Sequence, residues 1–204
     1  MSDEQQGADD NRCAAIVLAA GAGKRFGDNK ILNAKIDNKP LGLVTAERYR
    51  ALMPTIVVVR AGESAVFSMF ERSGFSPVVS ERAKDGMGYS LAAGIKEAKL
   101  KQYVSYLVVL GDMPLVQVST ILTLQRALIA GTPIVRPTFR GQAGNPVGFQ
   151  QTFSLALSNI AADKGAQDVV KAHASQVETV EVEDEGVIMD IDTPAMLADA
   201  QARV

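Results

Sequence analysis

Cys13-Ala-Ala-Ile-Val-Leu-Ala-Ala-Gly-Ala-Gly-Lys-Arg-Phe-Gly-Asp-Asn-Lys30 runs from a continuous apolar stretch into a loop with three glycines. The apolar stretch, Cys13 to Ala20, predicts a strand buried on both faces. Gly21, Gly23 and Gly27 permit positive φ and let backbone N–H groups come close to a ligand. Successive N–H groups in such a loop form an anion-binding concavity. Lys24, Arg25 and Lys30 add positive charge, and an arginine grips phosphate oxygens with two hydrogen bonds. The loop therefore suits a polyphosphate. It is neither a dinucleotide fingerprint nor a Walker P-loop, because both need glycine where Phe26 stands.

Further strands are expected at Thr55–Val59, Pro77–Val79, Ser105–Leu110, Pro133–Val135 and Val177–Val182, the last alternating apolar and acidic as an edge strand does. Helical spacing lies between them: Val66, Phe67 and Phe70; Leu91, Ile95 and Ala98; Ile121, Leu124 and Leu128. Gly74 and Gly131 close two of these segments. Thr193-Pro194 is an N-cap and first-turn pair opening a last helix, with Met196, Leu197 and Ala200 on one face. Apolar strands alternating with helices predict an α/β protein with a mostly parallel sheet covered on both faces. In such sheets ligands sit beyond the carboxyl ends of the strands.

Gly111-Asp112-Met113-Pro114 directly follows the strand SYLVVL. A carboxylate there can hold Mg²⁺ through oxygen; a turn aspartate bonding its own backbone has the same spacing. Asp190-Ile-Asp192 places two carboxylates on the same side of an extended backbone. Asp192 also stands where it could help cap the final helix. Asp85-Gly-Met-Gly-Tyr-Ser90 precedes a helix, so the backbone at Gly86 and the Ser90 hydroxyl are candidate donors to a polar ligand. His173, the sole histidine, falls late in a helix and is assigned no catalytic part.

These motifs carry a resemblance. Leu18, Gly21, Arg25, Gly27 and Lys30 match L-x-x-G-x-x-x-R-x-G-x-x-K, the loop of the nucleotidyltransferase superfamily with a GT-A-like Rossmann fold. Asp190-Ile-Asp-Thr-Pro194 resembles the C-terminal signature of MocA-like molybdopterin cytidylyltransferases. Gly86-Met87 with Ser90-Leu91, and Gly144-Asn-Pro-Val147, resemble its base-side and acceptor-side segments. Asp163-Lys-Gly-Ala166 resembles the family's G-D-x-G-A-R run, but Ala162 and Gln167 replace its glycine and arginine, which leaves the acceptor open. The resemblance implies a three-layer, Rossmann-like fold with a mostly parallel mixed sheet. It implies that Leu18, Ala19, Ala20, Gly21, Gly23, Lys24, Arg25, Lys30, Gly86, Ser90 and Asp112 bind the nucleotide. Arg25, Lys30 and Asp112 would be catalytic, and Asn145, Asp163 and Gly165 would face the acceptor. Asp112 and Asp192, with Asp190 as second choice, would hold Mg²⁺.

The implied reaction transfers CMP from CTP, or a nucleotide from another NTP, to a molybdopterin-type acceptor, releasing pyrophosphate. The methyl of Ala20, where guanylyl relatives carry glycine, would fill volume a purine needs. A sugar or polyol phosphate is the alternative acceptor. A nucleotide-binding partner or chaperone of a recipient molybdoenzyme, with little turnover, is the alternative of another class.

Composition agrees with a soluble enzyme. The 204 residues are 47% hydrophobic and 22% charged, with net charge −2. No global field draws the chain to nucleic acid or anionic lipid, and no apolar run is long enough for a membrane helix. One cysteine, Cys13, excludes an internal disulfide framework and a Cys-based zinc site. The polar residues 1–11 are expected to be a disordered lead and 12–204 one domain, in a cytoplasmic protein.

Overall fold

The apolar run at the start of the chain becomes the middle of the sheet, in a computed structural model that describes residues 12–21, 29–160 and 165–203. In chain order the elements are β1 (Cys13–Leu18), α1 (Lys30–Asn33), β2 (Lys35–Ile36), β3 (Lys39–Pro40), α2 (Leu41–Arg50), β4 (Thr55–Arg60), α3 (Ser64–Arg72), β5 (Val78–Ser80), α4 (Met87–Leu100) and β6 (Ser105–Leu110). There follow α5 (Val118–Ile129), β7 (Ile134–Phe139), β8 (Gln142–Ala143), β9 (Val147–Gln150), α6 (Ser154–Ser158), α7 (Gln167–Ala172), β10 (Val177–Glu181) and α8 (Pro194–Gln201).

The main sheet has the order β10-β7-β9-β6-β1-β4-β5, with β8 on β7. β1 pairs in parallel with β6 (Cys13↔Ser105 to Leu18↔Leu110) and with β4 (Ala15↔Thr55 to Leu18↔Val58). All six residues of β1 are buried, as a strand with partners on both sides and helices on both faces requires. β9 runs antiparallel to both β6 and β7, so the sheet is mixed. β2 and β3 form a separate antiparallel hairpin.

Alternate residues of each strand feed two cores. Val17, Val57, Val59, Leu107, Val109 and Val135 pack under α2, α3 and α5. Ile16, Leu18, Ile56, Val58, Val108, Ile134 and Phe149 pack under α4, α6 and α7. The helical faces read from spacing are the buried ones: Leu91, Ile95 and Ala98 are inaccessible, as are Ile121 and Leu124. The Thr193 hydroxyl accepts from Met196 N at 3.3 Å with Pro194 in the first turn, and Ala200 is buried. β10 is the edge strand that its alternation predicts. Among the described residues, no helix is long and apolar enough to cross a membrane.

Two expectations needed extending. β7 continues past Val135 through Pro137 to Phe139. Pro137 lies beyond the last partner on β9, Val135↔Gly148, where no ladder hydrogen bond to that strand needs its missing N–H, and its carbonyl accepts from Gly144 N at 2.8 Å. β9 itself begins inside the segment read as an acceptor-side motif, and its four residues carry too little alternation to register as a strand.

Helix α4 lies unusually close to β1. A Cβ at Gly94 would meet Ile16 Cγ2 at 2.4 Å and Val58 Cγ2 at 3.1 Å. Alanine would gain up to about 1 kcal/mol of helix propensity, but overpacking costs about 1–3 kcal/mol. Gly94→Ala is therefore expected to lower stability by about 1–2 kcal/mol, read by urea titration. A variant as stable as wild type would show that α4 moves away from the sheet at no cost.

Candidate active site

The carboxyl ends of β1 and β6 meet side by side, and the candidate residues gather above them. Gly111 N donates to Leu18 O at 3.1 Å. A Cβ at Gly111 would stand 2.9 Å from that same oxygen, so only glycine lets the end of β6 press this closely onto the start of the phosphate loop. Asp112 comes next, with its carboxylate partly exposed. On the other flank Ala19 N donates to Val58 O at 2.9 Å, and the Arg60 guanidinium donates to Ala20 O at 3.0 Å. Leu18, Ala19 and Ala20 are thus pinned between β4 and β6, and Gly21 leads outward from them.

The C-terminal acidic pair reaches Asp112 through the backbone: Ile191 N donates to Asp112 O at 3.0 Å. Extended chain through Ile191 buries that side chain beside Ile36 and Leu41 and leaves Asp190 and Asp192 on the cleft side. One carboxylate oxygen from each of Asp112, Asp190 and Asp192 lies within 4.8 Å of the others. Hard oxygen donors at this spacing suit a divalent cation. The first and second choices for a metal ligand after Asp112 therefore both reach the cluster.

Lys30, the first residue of α1, reaches between these acids. Its Nζ donates to Asp112 Oδ2 at 2.8 Å and to Asp192 Oδ1 at 2.6 Å. Burial pulls the ammonium's pKa down, but the attraction and hydrogen bonds of Asp112 and Asp192 outweigh it, so the pKa lies above the ordinary lysine value. Lys30 stays protonated and serves as a fixed positive charge.

A buried aspartate that the sequence reading missed holds this arrangement up. Asp184 accepts from Gln117 N at 2.8 Å, Thr120 Oγ1 at 2.7 Å and Gly186 N at 3.0 Å. It caps the start of α5 from another part of the chain and ties down the segment leading to Asp190. The signal was indirect: α5 opens at Gln117 with no capping side chain of its own.

Other candidates fare differently. Gly86 immediately precedes α4. Ser90 is 3% exposed and sits on the buried side of α4, so its hydroxyl is not presented to an open cleft. Ahead of α4, Arg82 stacks 3.7 Å from the Tyr89 ring centroid and pairs with Asp85 at 3.1 Å, an ordering contact that no motif signalled. Asn145 N donates to Val187 O at 2.7 Å, which joins the Gly144–Asn145 turn to the segment carrying the acidic pair. Gly165 lies near the start of α4, where a Cβ would come 3.4 Å from the Met87 sulfur. Ala20 is 6% exposed at the carboxyl end of β1, where its carbonyl accepts from Arg60. Gly23, Lys24, Arg25, Gly27 and Asp163 lie outside the described residues. His173 packs edge-on to Phe153, with centroids 5.1 Å apart, on the α7 side and away from this chemistry.

A protonated lysine and three converging carboxylates gather at the carboxyl ends of β1 and β6, an arrangement that suits a divalent cation beside an anionic ligand. Comparison with known proteins agrees: residues 15–177 match the MobA-like NTP transferase domain. The chain belongs to that family. The protein is a nucleotidyltransferase with the family's α/β fold. It is 28% identical over 192 residues to the purine catabolism protein PucB of Bacillus subtilis, covering 88% of this chain and 91% of that one. It is 38% identical over 103 residues to a probable molybdenum cofactor guanylyltransferase of Thermococcus sibiricus, about half of each chain. Among solved structures, Rv0371c of Mycobacterium tuberculosis superposes with a TM-score of 0.79 at 24% identity, covering 95% of this chain and 100% of that one.

Two outcomes follow from the cluster. Asp112→Asn and Asp192→Asn should each weaken Mn²⁺ binding, followed by electron paramagnetic resonance, by at least about tenfold while the fold persists. Unchanged affinity in both would remove these acids from the cation site. Lys30→Gln leaves the carboxylates facing one another without their counter-charge. Its melting temperature should therefore rise more on adding Mn²⁺ than wild type's does; an equal rise would mean that Lys30 does not neutralise the cluster.

Proposed function

We propose that the protein transfers CMP from CTP to molybdopterin with Mg²⁺, releasing pyrophosphate. The observation that carries this reading is the convergence of Lys30, Asp112, Asp190 and Asp192 where the phosphate loop begins. The DIDTP run, which provides two of those acids, resembles the molybdopterin cytidylyltransferases. Rv0371c, which shares the fold, has also been solved in complex with manganese. A 2-keto-3-deoxy-manno-octonic acid synthetase solved with CTP shares the fold at a TM-score of 0.75.

The donor set fits the cation. Asp112, Asp190 and Asp192 would hold it, and when bound it would neutralise the charge growing on the α-phosphate and on departing pyrophosphate. An acceptor phosphate oxygen attacks the α-phosphorus of CTP as the bond to pyrophosphate breaks. That oxygen is already anionic, so no general base is needed, in keeping with a site built from acids and cations. Lys30, permanently protonated, donates hydrogen bonds to phosphate oxygens and takes up no proton. The N–H groups of the loop after Leu18, with Lys24 and Arg25, hold the triphosphate. Catalysis then rests on positioning and charge neutralisation.

A second reading, GTP in place of CTP, is favoured by the name of the Thermococcus relative. The test is pyrophosphate release with Mg²⁺ and molybdopterin, comparing kcat/KM for CTP and GTP. The expected result is a preference for CTP of roughly tenfold or more. A preference for GTP would transfer the assignment to the guanylyl reading. Turnover with sugar or polyol phosphates but not molybdopterin would overturn the acceptor, and nucleotide binding without turnover would favour a molybdoenzyme partner or chaperone.

A further inference from the structure

β7 carries an arginine among largely buried neighbours. Arg136 alternates with Val135 and so shares the sheet face of Ile134, the face covered by α7. Its Nε donates to Gly144 O at 3.0 Å and its Nη1 to Gln167 Oε1 at 3.1 Å. Both acceptors are neutral. Among the described residues no carboxylate pairs with the guanidinium, and half-burial alone holds its pKa below the ordinary arginine value. Arginine keeps its charge regardless. Holding a cation partly out of water without a counter-ion is unfavourable, and the described residues offer no anion to offset that cost.

The place of this cation gives it a use. The Gly144 carbonyl fixes Arg136, while the next residue's N–H, on Asn145, holds Val187 in the segment that leads to Asp190. One turn therefore connects the arginine to the acidic cluster. β7 lies two strands from β6, a lateral offset of about 10 Å, and Arg136 stands level with Val108, four residues before Asp112, with its Nε held at the Gly144 turn. The other flank is closed by Gly165, two positions before Gln167, against Met87 at the start of α4. A guanidinium has five N–H donors in a rigid fork. Two are committed to Gly144 and Gln167, which orient the fork and leave the rest for a ligand.

We propose that Arg136 is an acceptor-binding residue that grips a phosphate monoester on the incoming substrate, with Gln167 and the Gly144 carbonyl aiming the guanidinium. This rests on the nucleotidyl-transfer reading for the word acceptor, but the anion site itself is tested without turnover. The probe is inorganic phosphate, titrated by calorimetry into enzyme already saturated with Mg²⁺ and the non-hydrolysable α,β-methylene analogue of CTP, so that the triphosphate loop is filled. Arg136→Gln, checked for a wild-type melting temperature, should weaken phosphate binding by roughly tenfold or more and leave affinity for the CTP analogue within about twofold, a split that a merely structural arginine would not produce. Arg136→Lys should recover part of the loss. Lys99→Gln, on a distant basic surface, should bind phosphate like wild type. The proposal is overturned if wild type shows no saturable phosphate binding, if folded Arg136→Gln binds phosphate as wild type does, or if nucleotide affinity falls in parallel. Phosphate binding that depends on Arg136 in an enzyme that transfers nothing to molybdopterin would uphold the clamp and remove the molybdopterin assignment.

Discussion

Asp112 and Asp192 are 82 and 162 positions along the chain from Lys30, yet all three touch. Two carboxylates a few ångströms apart, half out of water, repel by a few kcal/mol at the dielectric of a protein surface. The Lys30 ammonium between them reverses the sign of that interaction. This placement explains much of the surrounding architecture. α1 exists to bring Lys30 in from the loop, and the Gly111–Leu18 contact sets the height of Asp112. Ile191 and Asp184 clamp the C-terminal segment so that its acids point inward. In the proposed transfer the cation that holds the site together would also serve the triphosphate, so folding and function would draw on the same electrostatics.

The sheet explains why these parts meet at one edge. β1, β4 and β6 run parallel and end together, so the loop after β1, the acid after β6 and the turn after β5 share one rim. The reversed strand β9 then carries the chain back from the Gly144–Asn145 turn on that rim. The end of β1, the acidic cluster and the Gly144–Asn145 turn lie in sequence across the sheet, the order that the proposed transfer requires of a nucleotide beside its acceptor.

Much of this was legible in the residues. Cys13–Leu18 and Ser105–Leu110 are long apolar runs with a single structural solution, and their ends announce Gly21 and Asp112. DIDTP is legible because Thr193-Pro194 fixes a helix start and the two acids precede it. What was not legible lies in long-range pairings without local pattern. Asp184 looks like one acid in the run Glu181–Glu185, and only the fold shows that it caps α5. β9 is too short for its alternation to be seen, and only the first part of β7 was legible. Arg136 reads as an ordinary strand cation until the absence of a counter-ion among the described residues sets it apart. Lys30 was assigned to phosphate, but its second role, neutralising Asp112 and Asp192, depends on contacts across the whole chain.

The central claim is that one acidic cluster, held by Lys30 in the free enzyme, becomes the cation site when nucleotide binds. A crystal structure with CTP and Mg²⁺ tests it most directly. The account predicts an ion coordinated by Asp112 and at least one of Asp190 and Asp192, with Lys30 Nζ turned onto a phosphate oxygen. Lys30 still bridging Asp112 and Asp192 beside bound CTP, with the ion elsewhere or absent, would contradict it.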